Sequence, residues 1–106
     1  SAWLGRPERS AVTAACMAVR TAGFWALGGF DTLLAHDYND ADLCFRAWAT
    51  GGRVVLAPGV RLVHHEGASR GRAVHPDTVA DWLVFRTRWS RRLAAEDPWG
   101  PPAGPA

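Results

Sequence analysis

Two clusters of polar side chains in the middle of the chain have the residue types of a group-transfer site. Asp40 and Asp42 lie at the predicted start of a helix, and His64, Ser69 and Arg70 follow a predicted strand. Two nearby carboxylates can supply a general base and a group that positions it. A histidine can hold a divalent metal, and an arginine can bind an anionic leaving group. The pattern predicts transfer of a group from a phosphorylated donor.

The composition is that of one globular domain. The chain has 106 residues, of which 48% are hydrophobic and 21% are charged. No apolar run approaches the ~18 residues that a membrane-spanning helix needs. The formal net charge is +2, with twelve arginines and no lysine. Because acidic residues lie between the arginines and no nucleic-acid module is visible, a small arginine-rich nucleic-acid-binding domain is only an alternative.

The chain starts at Ser1 and shows no basic-then-apolar pattern of a secretory signal. We therefore expect a piece of a longer, cytoplasmic protein. Cys16 and Cys44 lie in apolar surroundings in the sequence, where a free thiol behaves as a small hydrophobe. Two such cysteines favour a reduced compartment over a disulfide.

Hydrophobic spacing predicts an α/β order of elements. The expected strands are 12–19, 53–57 and 60–64, the last two joined by a turn at Pro58-Gly59. The expected helices are 20–27, about 39–50, and about 77–94. Residues 1–11 are expected to be a linker or truncated loop, 12–96 the folded body, and 97–106 a tail rich in Pro and Gly.

The second predicted helix carries the acidic cluster. Asn39 or Asp40 is expected to cap it with a side-chain oxygen. Asp42 and Arg46 are four residues apart and can form an ion pair on one side of the helix. The expected apolar face consists of Leu43, Cys44, Ala47 and Trp48.

The last predicted helix combines aromatic and basic residues. Its expected apolar face is Val79, Trp82, Leu83, Trp89 and Leu93. The arginines of this segment are expected to form a solvated face, consisting of Arg86, Arg88, Arg91 and Arg92. The alternative is that the helix lies on an anionic membrane surface, where Trp and basic side chains are favourable.

An ordered series of short motifs runs from about residue 12 to residue 99. The motifs are Thr13-Ala14-Ala15-Cys16, Val19-Arg20, Phe24, Gly28-Gly29-Phe30-Asp31, Asn39 to Arg46, Gly52-Arg53-Val54-Val55, Pro58, His64-His65-Glu66, Ser69-Arg70-Gly71, Arg88-Trp89 and Asp97-Pro98. The series resembles the C-terminal, acceptor-side half of the catalytic domain of family 2 glycosyltransferases. The resemblance implies a partial GT-A fold, an α/β sandwich with a few strands and three helices.

The resemblance also implies roles for individual residues. Asp40 corresponds to the catalytic base, with Asp42 beside it, and Asn39 replaces the glutamate that the family usually has. Asn39, Arg46, Ser69 and Arg70 correspond to substrate-binding positions. The family's spacing favours His64 over His65 as ligand to a divalent metal, Mn or Mg, in the complete enzyme. The isolated chain is not expected to bind that metal tightly.

The implied reaction is inverting transfer of a sugar from a nucleotide-sugar to an acceptor hydroxyl, in bacterial cell-surface polysaccharide synthesis. The acceptor would be a glycan or a lipid-linked molecule, and the setting the cytoplasm or the inner face of the membrane. The aspartate motif and nucleoside pocket of the family belong to an N-terminal half, so these 106 residues alone are expected to be inactive. An apolar face without that half would favour self-association. The remaining alternative is a non-catalytic interaction module derived from a transferase.

Overall fold

The computed structural model describes residues 7–57 and 76–99, and helices predominate in them. The order of elements is a 3-10 turn at Ala14–Cys16, α1 at Thr21–Ala26, α2 at Asn39–Ala49, α3 at Pro76–Arg88 and α4 at Ser90–Ala94. Within these two ranges, β pairing consists of one antiparallel bridge between Glu8 and Val55. The helices of the prediction are thus present, whereas the α/β sandwich is not confirmed. None of the described helices is both long and apolar enough to cross a membrane.

The predicted buried strand over 12–19 is wrong. Its centre is the exposed 3-10 turn, in which the Thr13 hydroxyl accepts a hydrogen bond of 3.2 Å from the NH of Ala15. A side chain that binds the local backbone in this way competes with strand pairing. Cys16, expected in an apolar setting, is therefore exposed.

The end of α1 agrees with the prediction. Gly28 and Gly29 adopt φ values of 89° and 69°, a region that residues with a side chain rarely enter. The NH of Gly29 donates to the carbonyl of Phe24 at 2.9 Å, which closes the last turn. A Cβ atom at position 29 would lie 3.2 Å from the Phe24 ring, so glycine is needed there for space as well.

Helix α2 begins at Asn39, but neither predicted cap residue occupies its N-cap. That position belongs to Tyr38, which has a left-handed backbone (φ 65°) and makes no side-chain cap. Asp40 lies inside the first turn, where its Oδ1 accepts a 2.8 Å hydrogen bond from the NH of Ala41. At the other end Gly51 has φ 88°, in line with the predicted stop.

The predicted final helix is divided at Trp89, and its buried face differs from the prediction. Val79 and Leu83 are 55% and 52% exposed, whereas Phe85 is 4% exposed. The Phe85 ring lies 5.3 Å from that of Phe45, centroid to centroid, and these two residues form the core with Leu34. The side of α3 that carries Phe85, rather than the more apolar side, therefore faces α2.

Both ends of the described chain are attached to α2 and the segment after it. Arg9 donates its NH to the carbonyl of Val54 at 3.0 Å, and the Trp48 indole NH donates to the carbonyl of Arg9 at 2.8 Å. Trp99 stacks on Trp48 with ring centroids 4.9 Å apart. The segment predicted as a strand at 53–57 thus pairs with 7–9, and its predicted partner at 60–64 lies outside the described residues.

Candidate functional site

Asp40 lies where α2 meets the 3-10 turn. Its Oδ1 binds the NH of Ala41 in its own helix, and its Oδ2 accepts a 3.0 Å hydrogen bond from the NH of Ala14. The residue is half-buried, so solvent reaches part of it. Each carboxylate oxygen keeps a free lone pair after one hydrogen bond. The carboxylate is therefore held in place and retains the capacity to accept a further proton or hydrogen bond.

Asp42 has a different environment, although it is only two residues away. It is 0% exposed and accepts hydrogen bonds from Arg46 Nε at 2.9 Å, an Arg88 guanidinium nitrogen at 3.0 Å and Trp89 Nε1 at 2.8 Å. The predicted pair with Arg46 is confirmed, with Asp42 fully buried and the Arg46 side chain 20% exposed. Asp42 joins α2 to the end of α3 and cannot touch a substrate in this arrangement.

Arg88 and Arg92 make contacts within the protein that the predicted solvated face does not include, although Arg88 remains exposed. Arg88 binds Asp42 and also lies 2.7 Å from Asp31, and the hydrogen bond with Asp42 is the main reason that its pKa is raised. Arg92 lies over the Phe45 ring, 5.3 Å from its centroid. Arg88 therefore pairs with the buried Asp42 and the partly exposed Asp31, and Arg92 covers a ring of the core.

Arg46 borders an open cleft. Its two terminal nitrogens donate to the carbonyls of Leu27 and Gly29, the second at 2.7 Å. The cleft has a volume of 380 Å³. Its lining consists of Leu27, Gly28, Phe30, Asp31, Thr32 and Arg46. Arg46 thus forms a wall of the cleft, with one hydrogen bond from each of its three nitrogens made within the protein.

Asp31, which also lines this cleft, is not among the predicted site residues. Its Oδ1 accepts a 2.9 Å hydrogen bond from the NH of Leu33, and this bond, together with Arg88, holds the pKa of Asp31 below its usual value. The carboxylate therefore stays ionised to low pH. Its place in the Gly28-Gly29-Phe30-Asp31 motif was the available sequence signal.

Asp81, on the buried face of α3, was also missed. It is 2% exposed and accepts backbone hydrogen bonds from Ala35, His36 and Asp37. Burial by itself raises the pKa of Asp81, but these three hydrogen bonds outweigh burial and leave the pKa lowered. The sequence places Asp81 four residues before Phe85, on the same helix face, but its burial and its three amide partners are visible only in the structure.

The other predicted site residues divide into two groups. Asn39 is half-buried as the first residue of α2. The second group lies outside the described residues and consists of His64, His65, Ser69 and Arg70. The pocket that they were expected to share with Asp40 is therefore not described either. In ranges 7–57 and 76–99, no group of three or more His, Cys, Asp or Glu side chains could hold a metal ion.

Several bacterial proteins are similar to this chain. It is 40% identical over 94 residues to the O-antigen biosynthesis protein RfbC of Myxococcus xanthus, covering 88% of this chain and 7% of that protein. It is 30% identical over 95 residues to the N-acetylglucosaminyl-diphospho-decaprenol L-rhamnosyltransferase of Mycobacterium tuberculosis, covering 76% of this chain and 31% of that protein. An uncharacterized protein of Sinorhizobium fredii, y4gI, is 36% identical over 104 residues, covering 91% and 11%.

The chain thus spans less than a third of the length of each of these relatives. No family model matches the chain, and no solved structure matches it. The similarities relate the chain to a glycosyltransferase and to a protein of O-antigen biosynthesis.

Proposed function

We propose that this chain is the C-terminal, acceptor-side half of a family 2 glycosyltransferase domain of GT-A fold. The parent enzyme would transfer a sugar from a nucleotide-sugar donor to an acceptor hydroxyl with inversion, in the synthesis of a cell-surface polysaccharide. The motif series over residues 12–99 and the similarity to a rhamnosyltransferase and an O-antigen biosynthesis protein support the proposal.

The contrast between Asp40 and Asp42 is the observation that carries the proposal. Asp42 is fully buried and bound by two arginines and an indole, whereas Asp40 is half-buried and keeps acceptor capacity. A general base must reach the proton that it removes, and only Asp40 meets this condition. Asp42 and Arg46 then act as support that fixes α2.

The proposed step begins when an acceptor hydroxyl approaches Asp40. The hydroxyl oxygen forms a bond to the anomeric carbon as the bond from that carbon to the diphosphate oxygen breaks, and the hydroxyl proton passes to Asp40. The nucleoside diphosphate leaves with the bonding electrons. Attack from the face opposite the leaving group inverts the configuration of the anomeric carbon.

The remaining roles rest on the resemblance. Arg70, with Ser69, would bind the phosphates of the donor, since a guanidinium can bind phosphate oxygens in a bidentate manner. His64 would supply one ligand to Mn or Mg, which would neutralise charge on the leaving group. Asn39 offers an amide where the family has a carboxylate, so we assign it to acceptor preference.

Asp40→Asn tests the proposal in the full-length protein that contains this chain. The amide keeps the shape and cannot take the proton, so transfer should fall by about 10²- to 10⁴-fold. Transfer is measured by release of nucleoside diphosphate and by the mass of the acceptor. The matched control is Asp77→Asn, the same change at an exposed residue in the first turn of α3.

If Asp77→Asn lowered transfer as much as Asp40→Asn does, the loss of activity would be attributed to folding and not to removal of the base. Full activity of Asp40→Asn would refute the proposal. Under this proposal the chain is only the acceptor-side half of the domain, so the 106 residues alone should give no transfer. Transfer by the isolated chain above that of its own Asp40→Asn variant would contradict this division of the site.

A cytoplasmic location at the inner face of the membrane is part of the proposal, since a lipid-linked acceptor would be presented there. Val79, Trp82 and Leu83 form an exposed apolar stripe on α3, next to Arg86. Trp and basic side chains on one helix face favour an anionic membrane surface. The chain should sediment with anionic vesicles at low salt, and the Leu83→Glu substitution should abolish this sedimentation. The same stripe would promote self-association, which light scattering measures.

A further inference from the structure

Asp81 holds the loop before α2 through consecutive backbone groups. Its Oδ1 accepts a hydrogen bond from the NH of Ala35 at 3.1 Å, and its Oδ2 accepts from His36 at 2.7 Å and Asp37 at 2.6 Å. The carboxylate is 2% exposed. Three consecutive amides that point to one place form a concave anion site, and here the anion comes from the protein itself.

Two further contacts tie α3 to the same loop. The Thr78 hydroxyl donates to the Asp37 carboxylate at 2.9 Å. The Tyr38 ring stacks on Phe85 and lies against Trp82, with centroids 5.4 Å apart in both cases. Helix α3 therefore fixes each residue from 35 to 38 by a backbone, side-chain or ring contact.

The loop leads directly to the candidate base. Tyr38 is the N-cap of α2, and its carbonyl accepts the NH of Asp42 at 2.9 Å. Asp40 follows two residues later, with its Oδ2 bound to the NH of Ala14 at 3.0 Å. A shift of Tyr38 would therefore move the first turn of α2 and lengthen the bond between Asp40 and Ala14.

Tyr38 needs such a restraint because its φ of 65° is unfavourable for a bulky residue. A strained backbone persists only where the surrounding structure fixes it. Charge-assisted hydrogen bonds to Asp81 are stronger than neutral ones, and they act immediately before the strained residue. Without them, Tyr38 can relax to a negative φ and change the direction in which the chain enters α2.

We infer that Asp81 is a positioning residue for Asp40, acting through the amides of 35–37 and the strained Tyr38. The inference rests on the proposed function, in which Asp40 is the base. It assigns to α3 a part in the reaction, although Asp81 does not contact substrate. Its effect on Asp40 can be measured in this chain without any turnover.

Asp81→Asn is the main test, since the amide keeps one acceptor oxygen and presents an NH₂ group that cannot accept. Amide hydrogen exchange and amide proton shifts are measured by NMR. We expect the amides of 35–37 and the remote amide of Ala14 to exchange about tenfold faster than in the parent chain. The amides of Leu33 and Gly29 should be unchanged, because Asp31 and Phe24 hold them independently of Asp81.

Asp77→Asn is the matched control on the same helix, and it should leave the Ala14 amide unchanged. Faster exchange limited to 35–37 would overturn the inference, since Asp81 would then be only a local structural residue. Faster exchange of Gly29 to the same degree would also overturn it, because the effect would then be a general loss of stability.

If Asp81→Asn does not fold, Asp81→Glu takes its place, because the longer side chain keeps the charge but moves the acceptor oxygens away from the amides of 35–37. A smaller rise in exchange at 35–37 together with Ala14 supports the inference, and faster exchange at 35–37 with an unchanged Ala14 amide contradicts it. Transfer by the full-length protein separates this inference from the proposed function. Activity that survives Asp40→Asn refutes the function, while the exchange data still decide whether Asp81 positions that carboxylate.

Discussion

The indole NH of Trp89 donates a 2.8 Å hydrogen bond to the buried carboxylate of Asp42, at the point where α2 meets the end of α3. Arg88 and Arg46 bind the same carboxylate. One acidic residue therefore satisfies donors from two helices, and the sequence shows only its pair with Arg46. This arrangement makes Asp42 a determinant of stability.

Asp42→Ala should lower the free energy of unfolding by about 3–5 kcal/mol, because removal of one partner leaves buried donors and charge uncompensated. Chemical denaturation followed by tryptophan fluorescence measures the change. Asp40→Ala is the control and should cost about 1 kcal/mol, since it removes hydrogen bonds at a half-exposed position. Equal midpoints for the two variants would contradict the anchoring role of Asp42.

Acid should destabilise the fold through Asp31 and Asp81. Both carboxyls have a pKa below the value of 3.8 expected in the unfolded chain. Protons therefore bind more tightly to the unfolded chain, so this contribution to stability is complete above pH 3.8 and is lost as pH falls through the folded values. The thermal unfolding midpoint should decrease as the pH is lowered below about 4. In the Asp81→Asn variant this decrease with pH should be smaller. If the midpoint of the variant changed with pH as much as that of the parent chain, Asp81 would not contribute to the acid destabilisation.

The two thiols should differ strongly in reactivity. Cys16 is exposed in the 3-10 turn, whereas Cys44 is buried and its Sγ donates to the carbonyl of Val12 at 3.8 Å. Burial raises the pKa of the Cys44 thiol, so less of the reactive thiolate is present. A maleimide reagent should label one site in the native chain and two after denaturation. Native labelling of a Cys16→Ser variant would contradict the burial of Cys44.

Substitution by alanine should have opposite effects on stability at two nearby glycines, Gly29 and Gly23. Gly29→Ala should cost about 1–2 kcal/mol, because a Cβ is unfavourable at φ 69° and would lie 3.2 Å from the Phe24 ring. Gly23→Ala lies inside α1, where the nearest described atom to the added Cβ belongs to Arg20, at 4.0 Å, and the change should stabilise by up to about 1 kcal/mol. Thermal unfolding of both variants tests the contrast, and destabilisation of both would contradict it.

Local signals in the sequence were sufficient for α1 and α2. Gly28-Gly29 and Gly51 mark their ends through backbone conformations that only glycine adopts readily, and the acidic residues mark the start of α2. The strand predicted over 12–19 is absent because β-branched and small residues favour a strand only where another strand can pair with them. In the described ranges its centre is instead a 3-10 turn capped by Thr13, and the NH of Ala14 binds Asp40 in the first turn of α2.

Contacts distant in sequence were beyond prediction. Asp81 binds amides 44 to 46 residues away, and Arg88 binds Asp42 across 46 residues. The apolar stripe of α3 was predicted to be buried. The buried face of the helix instead carries Asp81, whose carboxylate is hydrogen-bonded, and the Phe85 ring. For the candidate site, the motif order singled out Asp40 and Arg46, whereas the burial that separates Asp40 from Asp42 required coordinates.

Arg46 binds the carbonyls of Leu27 and Gly29 with one planar guanidinium, and all three residues lie at the cleft or beside it. Movement of Leu27 relative to Gly29 would strain both bonds at once, so the guanidinium braces this part of the cleft wall. A wall that is already ordered loses little entropy when a molecule associates with it. A lysine at position 46, with a single ammonium, could not brace both carbonyls in the same plane.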